Sequence, residues 1–479
     1  MKRRNRLIRW QGLVALGGIV GVDVASAALL TVPEQYPSIQ SALNGAASGD
    51  SIMIDGAQGP YREPLSIKAE KLGEITLFSN PTSVRAEIYA DSGQYIMLAL
   101  KNEQNLPFRV VLDNLAFDGM DTAPTYGVRL YNAPSEAAEA LSTVVMKDVT
   151  ITRCGYGIQI GTKTGIDGCD GKWGAVDWTA LEQSTTRVEL LGCAVTECTR
   201  DAVRLYDVTG FFEHSLIAYN GDEALHSTGA HEFSFSHNIM ARNQTTTLHF
   251  QVPGRVYVTN NMVATSVDRP TSNPPVPGIG IAVGGSLNED TLFVNNNALI
   301  ANASSGVKIN PVEVVYGPGH CEARPSRVYL QNNTFVSNGF RSRMQKRFQV
   351  QYKDGPGSFL GAHYNQFRER TDLANFELDP TNVGGIEPGF SAPVQAGNLP
   401  DSLENPLGAL SMARTMIEGY ALRDSVAAID AGAPGDHFFD GGGLARGSVR
   451  NDAGIFGGPG SDWARGDSGA VADREKVRR

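Results

Sequence analysis

Cysteine is scarce in this chain, with five residues, Cys154, Cys169, Cys193, Cys198 and Cys321. None has the short paired spacing of a zinc site, so no metal centre is expected, and the odd count leaves one thiol outside any set of disulfides. Basic residues are in the minority: 41 Lys and Arg against 51 Asp and Glu give a formal net charge of −10. That deficit argues against a nucleic-acid partner. Long apolar runs are missing as well. The apolar stretch at 12–22 is too short to span a bilayer, and nothing later resembles a membrane span or a lipid anchor.

The opening does carry the marks of a secretory signal over 1–27. Lys2, Arg3, Arg4, Arg6 and Arg9 form a basic start, the apolar run follows, and Ala25-Ser26-Ala27 is a small-residue cleavage site. Cleavage there removes five basic residues and one acidic one, taking the charge from −10 to −14. Export to periplasm or medium is the expectation, with one domain at 28–460 and a polar, disordered tail at 461–479.

The middle of the chain keeps a register. With Gly192, His214, His237 and Asn260 as anchors the gaps are 22, 23 and 23 residues, and the frame extends to Asn114, Asp148, Asn296 and Asn332. Over these eight rows the positions four before, two before and three after the anchor are apolar in 23 of 24 cases, Gly210 being the exception. A period of this length marks a solenoid of stacked supersecondary units. The alternating apolar pair before the anchor reads as a short strand. A second strand begins three after it, and a third near plus ten, at 202–206, 224–226 and 247–251. Three short strands per turn without a helix predict an all-β parallel β-helix. A leucine-rich repeat, the rival at this period, wants a Leu-dominated consensus and a helical back. Asn220, Asn243, Asn302 and Asn338 recur at plus six, which fits an inward turn residue tolerant of left-handed backbone. Cys154 and Cys198 share that column and Cys193 stands one past its anchor, so these thiols are expected to be buried. Glycosylation patterns at Asn243, Asn302 and Asn332 fall on ladder or turn positions and are expected to stay unmodified.

The mature chain opens with a short amphipathic helix bearing Ile39, Ala42, Leu43 and Ala46 on one face, then Gly49-Asp50 and a strand at 51–54. This 30–54 stretch resembles the N-terminal cap of the pectin lyase-like superfamily, where a helix covers the first coil of a single-stranded right-handed parallel β-helix. The segments 420–434 and 450–460 resemble the closing segments of many secreted bacterial β-helix proteins. The catalytic Gln, Asp and Arg segments of pectin methylesterases, which open similarly, are absent. The resemblance therefore implies fold rather than reaction. Insertions at 161–184, 266–277 and 311–325 are expected as loops projecting from coil corners. A basic patch follows at 341–347, and a short helix is expected near 360–370. Gly441–Gly443 lacks the strand-and-helix context of a phosphate loop and reads as an ordinary loop.

Equivalent residues of successive coils stack about 4.8 Å apart. The outward positions of the third strand then form a row of Arg129, Gln159, Arg204, His226, His249, Lys308 and Gln351, flanked by Tyr131, Tyr206, Gln251 and Asn310. Such residues are common on solvated sheet faces. A row of cations on an acidic protein would also suit an anionic polymer, and Tyr206 a sugar ring. His214 and His237 occupy the turn position held elsewhere by Asn and read as structural. Two chemistries fit. In β-elimination on a uronic-acid polysaccharide, Arg204 or Lys308 neutralises the carboxylate, His226 or His249 takes the proton, and Tyr206 or a histidine serves as acid, with Arg129, Gln159, Tyr206, Gln251 and Asn310 binding substrate. C5 epimerisation uses the same groups. Glycoside hydrolysis would use Asp201, Asp222 and Glu223, which otherwise read as turn residues, although the Asn-Thr-Asp and Gly-His-Gly motifs of β-helical polygalacturonases are absent. A non-catalytic glycan or surface binder is the third reading. Many members of the superfamily are lyases and some need calcium, but no acidic cage for it is evident. A monomer with a polysaccharide partner, anionic by preference, is expected.

Overall fold

The computed structural model describes residues 27–384, apart from 92, 105, 121–123, 133–141, 162–185, 252, 270–276, 287–289, 311, 316–320, 340–347, 354, 356 and 369–372. Residues 1–26 of the signal-like opening, Cys169, the closing segments and the tail lie outside the described residues.

Among the described residues, a typical turn of the chain lays one strand into each of three parallel sheets, which reach 12, 12 and 10 strands. In the coil around Gly192 these strands are Thr186–Leu191, Ala194–Thr196 and Val203–Tyr206. The next coil repeats them as Val208–Glu213, Leu216–Ala218 and Leu225–Thr228. Register is kept from coil to coil: Val195 faces Ile217, Ile217 faces Met240 and Met240 faces Val263. The architecture is a right-handed parallel β-helix. A two-stranded antiparallel ribbon, Val312–Val315 with Cys321–Arg324, stands within the insertion at 311–325.

The apolar columns form the core because strand side chains alternate, so every second residue points inward. Val188, Leu190, Val195, Val203 and Leu205 are all 0% exposed. The exception, Gly210, is explained by space: at φ 119 a Cβ there would meet Val188 O at 2.0 Å, which only glycine avoids. The N-terminal helix Ile39–Gly45 closes the end of this core with Ile39, Ala42 and Leu43. Ser38 and Ser41 form a capping box, and Glu63 accepts from Ile39 N and Gln40 N at 2.8 and 2.9 Å, placing a negative charge at the helix N-terminus.

Corners depart from the sequence expectation. The eight anchors themselves are left-handed, with φ between 51 and 65, and plus-five residues such as Glu197, Tyr219 and Arg242 are left-handed again at 56, 61 and 55. Plus six is the buried ladder. Asn220 Nδ2 donates to Asn243 Oδ1 at 2.8 Å, and Asn302 Nδ2 to Asn338 Oδ1 at 2.8 Å. A second ladder at plus one runs through Asn238, Asn261, Asn297, Asn333 and Asn365. There each amide oxygen accepts from the preceding rung, as Asn297 Oδ1 does from Asn261 N and Nδ2 at 2.9 and 3.0 Å. Each amide nitrogen reaches back to a main-chain carbonyl, as Asn297 does to Val258 O at 2.8 Å. The thiols of Cys154, Cys193 and Cys198 are buried in these columns and unbridged. Asn243, Asn302 and Asn332 are fully buried, which closes them to glycosylation.

No helix forms near 360. Phe359–His363 and Gln366–Phe367 are strands, Tyr364 takes the left-handed anchor position at φ 56, and Asn365 continues the ladder. The solenoid runs on because ladder pairing and sheet edge outweigh the local helical pattern. On the outside of the first sheet, Tyr257, Phe293 and Tyr329 stack at 5.2 and 5.7 Å, their ring faces against one another and their edges to solvent.

Two stability tests follow from these corners. Asn297→Ala strands the Asn261 amide groups and the Val258 carbonyl, at a cost of about 2–4 kcal/mol in denaturant unfolding, whereas Asn260→Gly at a left-handed corner is near neutral. Burial pushes the Asp207 carboxyl up from 3.8 to about 7. An acid with a raised folded pKa takes up a proton on folding, so its destabilising effect grows as pH climbs from 3.8 to about 7 and is full above that. Asp207→Asn, tolerated at φ 51, should raise the thermal midpoint at pH 8 and leave it almost unchanged at pH 4.

Candidate active site

Strand pairing on the third sheet sets one outward row. From Arg129 it runs through Gln159, Arg204, His226 and His249, then through Ala282 to Lys308 and Gln351. Ala282 is a rung the sequence frame did not supply, because its coil follows the insertion at 266–277. In the flanking column Tyr206 leads through Thr228 and Gln251 to Gly284 and Asn310, while Tyr131 pairs with Lys101. Tyr206 is only 3% exposed, so its ring offers no open face to a sugar.

Three residues before the row lies a second column that supplies its partners: Tyr126, Tyr156, Asp201 and Glu223. The Arg129 guanidinium sits 4.3 Å from the Tyr126 ring centroid, and that ring stacks on Tyr156 at 5.2 Å. Arg204 lies over the Tyr156 ring at 4.3 Å while its Nε donates to Asp201 Oδ2. Arg200 donates to Tyr156 Oη at 2.7 Å. The tyrosines and Arg200 were not singled out from sequence. The signal for the tyrosines is the same three-residue offset that Asp201 and Glu223 keep from Arg204 and His226, an offset that Arg200 does not share.

Glu223 is the pivot. Its Oε2 is 2.7 Å from His226 Nδ1 and its Oε1 is 2.8 Å from His249 Nδ1, so one carboxylate holds imidazoles of two neighbouring coils. The two rings stand 5.0 Å apart, edge to face. With Nδ1 turned to the carboxylate, neither Nε2 has a hydrogen-bond partner among the described residues. Asp222 points elsewhere: its carboxylate accepts from Arg269 at 2.9 Å and from Thr245 Oγ1 at 2.7 Å, tying the segment after Asn260 to the corner. Lys308 forms no ion pair among the described residues.

Charges are tuned by burial and by these pairs. Burial, then the Glu223 charge, push the Asp201 carboxyl up to about 6, with Arg204 opposing. Burial works against the Glu223 carboxylate too, but His249 and His226 outweigh it and hold the group below the usual range. His226 is raised in return, since Glu223 prevails over its burial. Burial alone lowers Lys308, and burial chiefly lifts Tyr206 to about 12. The arrangement can move a proton at an imidazole, bind anions along the row, and hold an ion: Glu223, His226 and His249 each offer a ligand atom, all within 4.8 Å of one another. The sequence reading expected no metal site, because these ligands come from two coils and show no compact spacing.

The profile of the family described as "Right handed beta helix region" matches residues 180–345. No curated protein matches significantly. Among solved structures, the chain is similar to the A-module of the mannuronan C-5 epimerase AlgE4 of Azotobacter vinelandii, at 12% identity and a TM-score of 0.45, covering 72% of this chain and 94% of that one. It is similar to the pectate lyase Pel9A at 12% identity and 0.42, covering 91% and 98%. It is similar to the catalytic domain of a GH87 alpha-1,3-glucanase solved with tetrasaccharides, at 10% identity and 0.26, covering 73% and 69%. At such identities and scores the likenesses leave the reaction open. The right-handed parallel β-helix that the N-terminal cap led one to expect is borne out as fold.

The Asp201–Arg204 pair can be weighed directly. Its side chains are 2% and 26% exposed, so Asp201→Asn leaves a largely buried guanidinium without its counter-charge and should cost about 3 kcal/mol in unfolding. Combining it with Arg204→Met should recover much of that loss.

Proposed function

We propose that this protein is an exported carbohydrate-active enzyme that cleaves an anionic, uronic-acid polysaccharide by β-elimination. The observation that carries the reading is the Glu223 carboxylate shared by His226 and His249, which fixes both rings with Nδ1 inward and leaves each Nε2 to exchange a proton with a substrate. In this reading one imidazole removes the proton beside the sugar carboxylate as the bond to the leaving glycosidic oxygen breaks, and the other returns a proton to that oxygen. The double bond stays in the product. Lys308 and Arg129 bind carboxylates along the row, while Arg204, oriented by Asp201, donates hydrogen bonds to the carboxylate at the reacting sugar. Gln159, Gln251 and Asn310 are assigned to substrate contacts, and the buried Tyr206, expected from sequence to bind a sugar, to packing beside Arg204. Two imidazoles side by side on one sheet approach a sugar from the same side. That suits syn elimination better than C5 epimerisation, which returns the proton to the opposite face. No helix among the described residues is long and apolar enough to cross a membrane, and the basic, apolar opening supports export.

Hydrolysis is the second reading, favoured by the raised Asp201 carboxyl, which suits a general acid. It ranks lower because Asp201 is 2% exposed and paired with Arg204, while Glu223 is engaged by two histidines. Mutation of Glu223 therefore does not separate the readings, since it positions the base in one and reacts in the other. Product chemistry does.

The purified protein should be incubated with pectate, alginate, glycosaminoglycans and neutral glycans, with and without calcium, following ultraviolet absorbance and reducing ends together. Elimination requires both to rise on an anionic glycan. His226→Ala or His249→Ala should then lower kcat by at least about 100-fold, and Lys308→Met should raise KM with little change in kcat. Reducing ends without absorbance would replace this reading with hydrolysis.

A further inference from the structure

We propose that Glu223, His226 and His249 also form a binding site for a transition-metal ion of the zinc class, assembled by strand register from two neighbouring coils. Glu223 and His226 stand three residues apart on one coil, and His249 pairs with His226 on the next. Their ligand atoms lie within 4.8 Å of one another. Two imidazole nitrogens and one carboxylate oxygen are the donors that borderline-soft divalent ions favour. Calcium takes six or more hard oxygens and finds a single carboxylate here.

The site is built before any ion arrives. The histidine backbones belong to paired strands, and the Glu223 oxygens already stand 2.7 and 2.8 Å from the two Nδ1 atoms. Ligands on one ion stand roughly 3 Å or more apart for bonds of about 2.0–2.1 Å, so entry parts these contacts by a few tenths of an ångström and draws any pair near the 4.8 Å limit together. Each imidazole then binds through Nδ1 and carries its proton on Nε2, any second proton passing to water. Arg204, the neighbouring cation on the row, is balanced by Asp201 and forms no ion pair with Glu223. Side-chain exposures of 15%, 13% and 25% for His226, Glu223 and His249 leave a path for the ion. Three protein ligands leave a coordination position open.

An ion on these atoms and proton transfer by the same imidazoles exclude each other, so zinc should inhibit turnover. That consequence alone rests on the elimination reading. The site itself is tested without substrate, by calorimetric titration of the untagged, chelator-stripped protein with zinc chloride. One ion per chain is expected, with affinity falling at least about tenfold in His249→Gln and in Glu223→Gln, and with no comparable heat from calcium chloride. Cobalt chloride should give visible absorption bands with the unaltered protein that zinc abolishes, a readout that needs no variant to fold. Absence of saturable binding, or equal binding by the folded variants, overturns the site whatever the enzyme assay shows. Stoichiometric binding that leaves cleavage untouched upholds the site and removes the histidines from proton transfer.

Discussion

A coil that turns three times around a dry core must find partners for polar groups at corners that water cannot reach. Burying an amide without a hydrogen bond costs about 1–3 kcal/mol, and the problem recurs on every turn. The asparagine ladders meet it by repetition. Each side-chain amide accepts from the rung on one side and donates to the rung on the other, while a main-chain carbonyl takes the remaining hydrogen, as around Asn297. Left-handed corners at residues as unsuited to that backbone as Tyr219 and Thr265 are held in place by this stack. Local strain is accepted where the neighbouring coils over-determine the conformation.

The same constraint places the candidate site. Once corners are locked, register on the third sheet is locked with them, and residues far apart in sequence become neighbours at the rung spacing. A carboxylate from one coil can then bridge histidines of two, and an arginine can rest on a tyrosine from the preceding coil. Net charge along the row is smaller than its composition implies, because Arg204 is answered by Asp201 and the two histidines by Glu223. Lys308, two rungs beyond His249, stands outside that neutralised group.

Much of this was legible in the sequence because a solenoid writes its fold as a period. The inward columns and the outward row could be aligned by counting, and the structure keeps the row from Arg129 to Lys308 with Ala282 added. Counting failed where identity changed but geometry did not. Tyr364 fills an anchor otherwise held by Asn, Asp, His or Gly, so the coil at 359–367 reads as a helix. The left-handed position was assigned to the asparagine column because Asn tolerates it, whereas the neighbouring residues carry it. Orientation was beyond reach of counting altogether. The burial of Tyr206 and the convergence of two histidines on one carboxylate depend on side-chain packing between coils.

The thiols at the N-terminal end of the ladders bear on how the chain copes with oxidants. Cys154, Cys193 and Cys198 are buried, and burial holds each well above the usual thiol range, so almost no thiolate exists to react. Their protection is a property of closed coils rather than of the residues. An unfolded chain presents the same sulfurs to any oxidant or stray disulfide. Winding must therefore outpace oxidation, and the rate at which these sulfurs become accessible to a labelling reagent is a clock for the opening of the central coils.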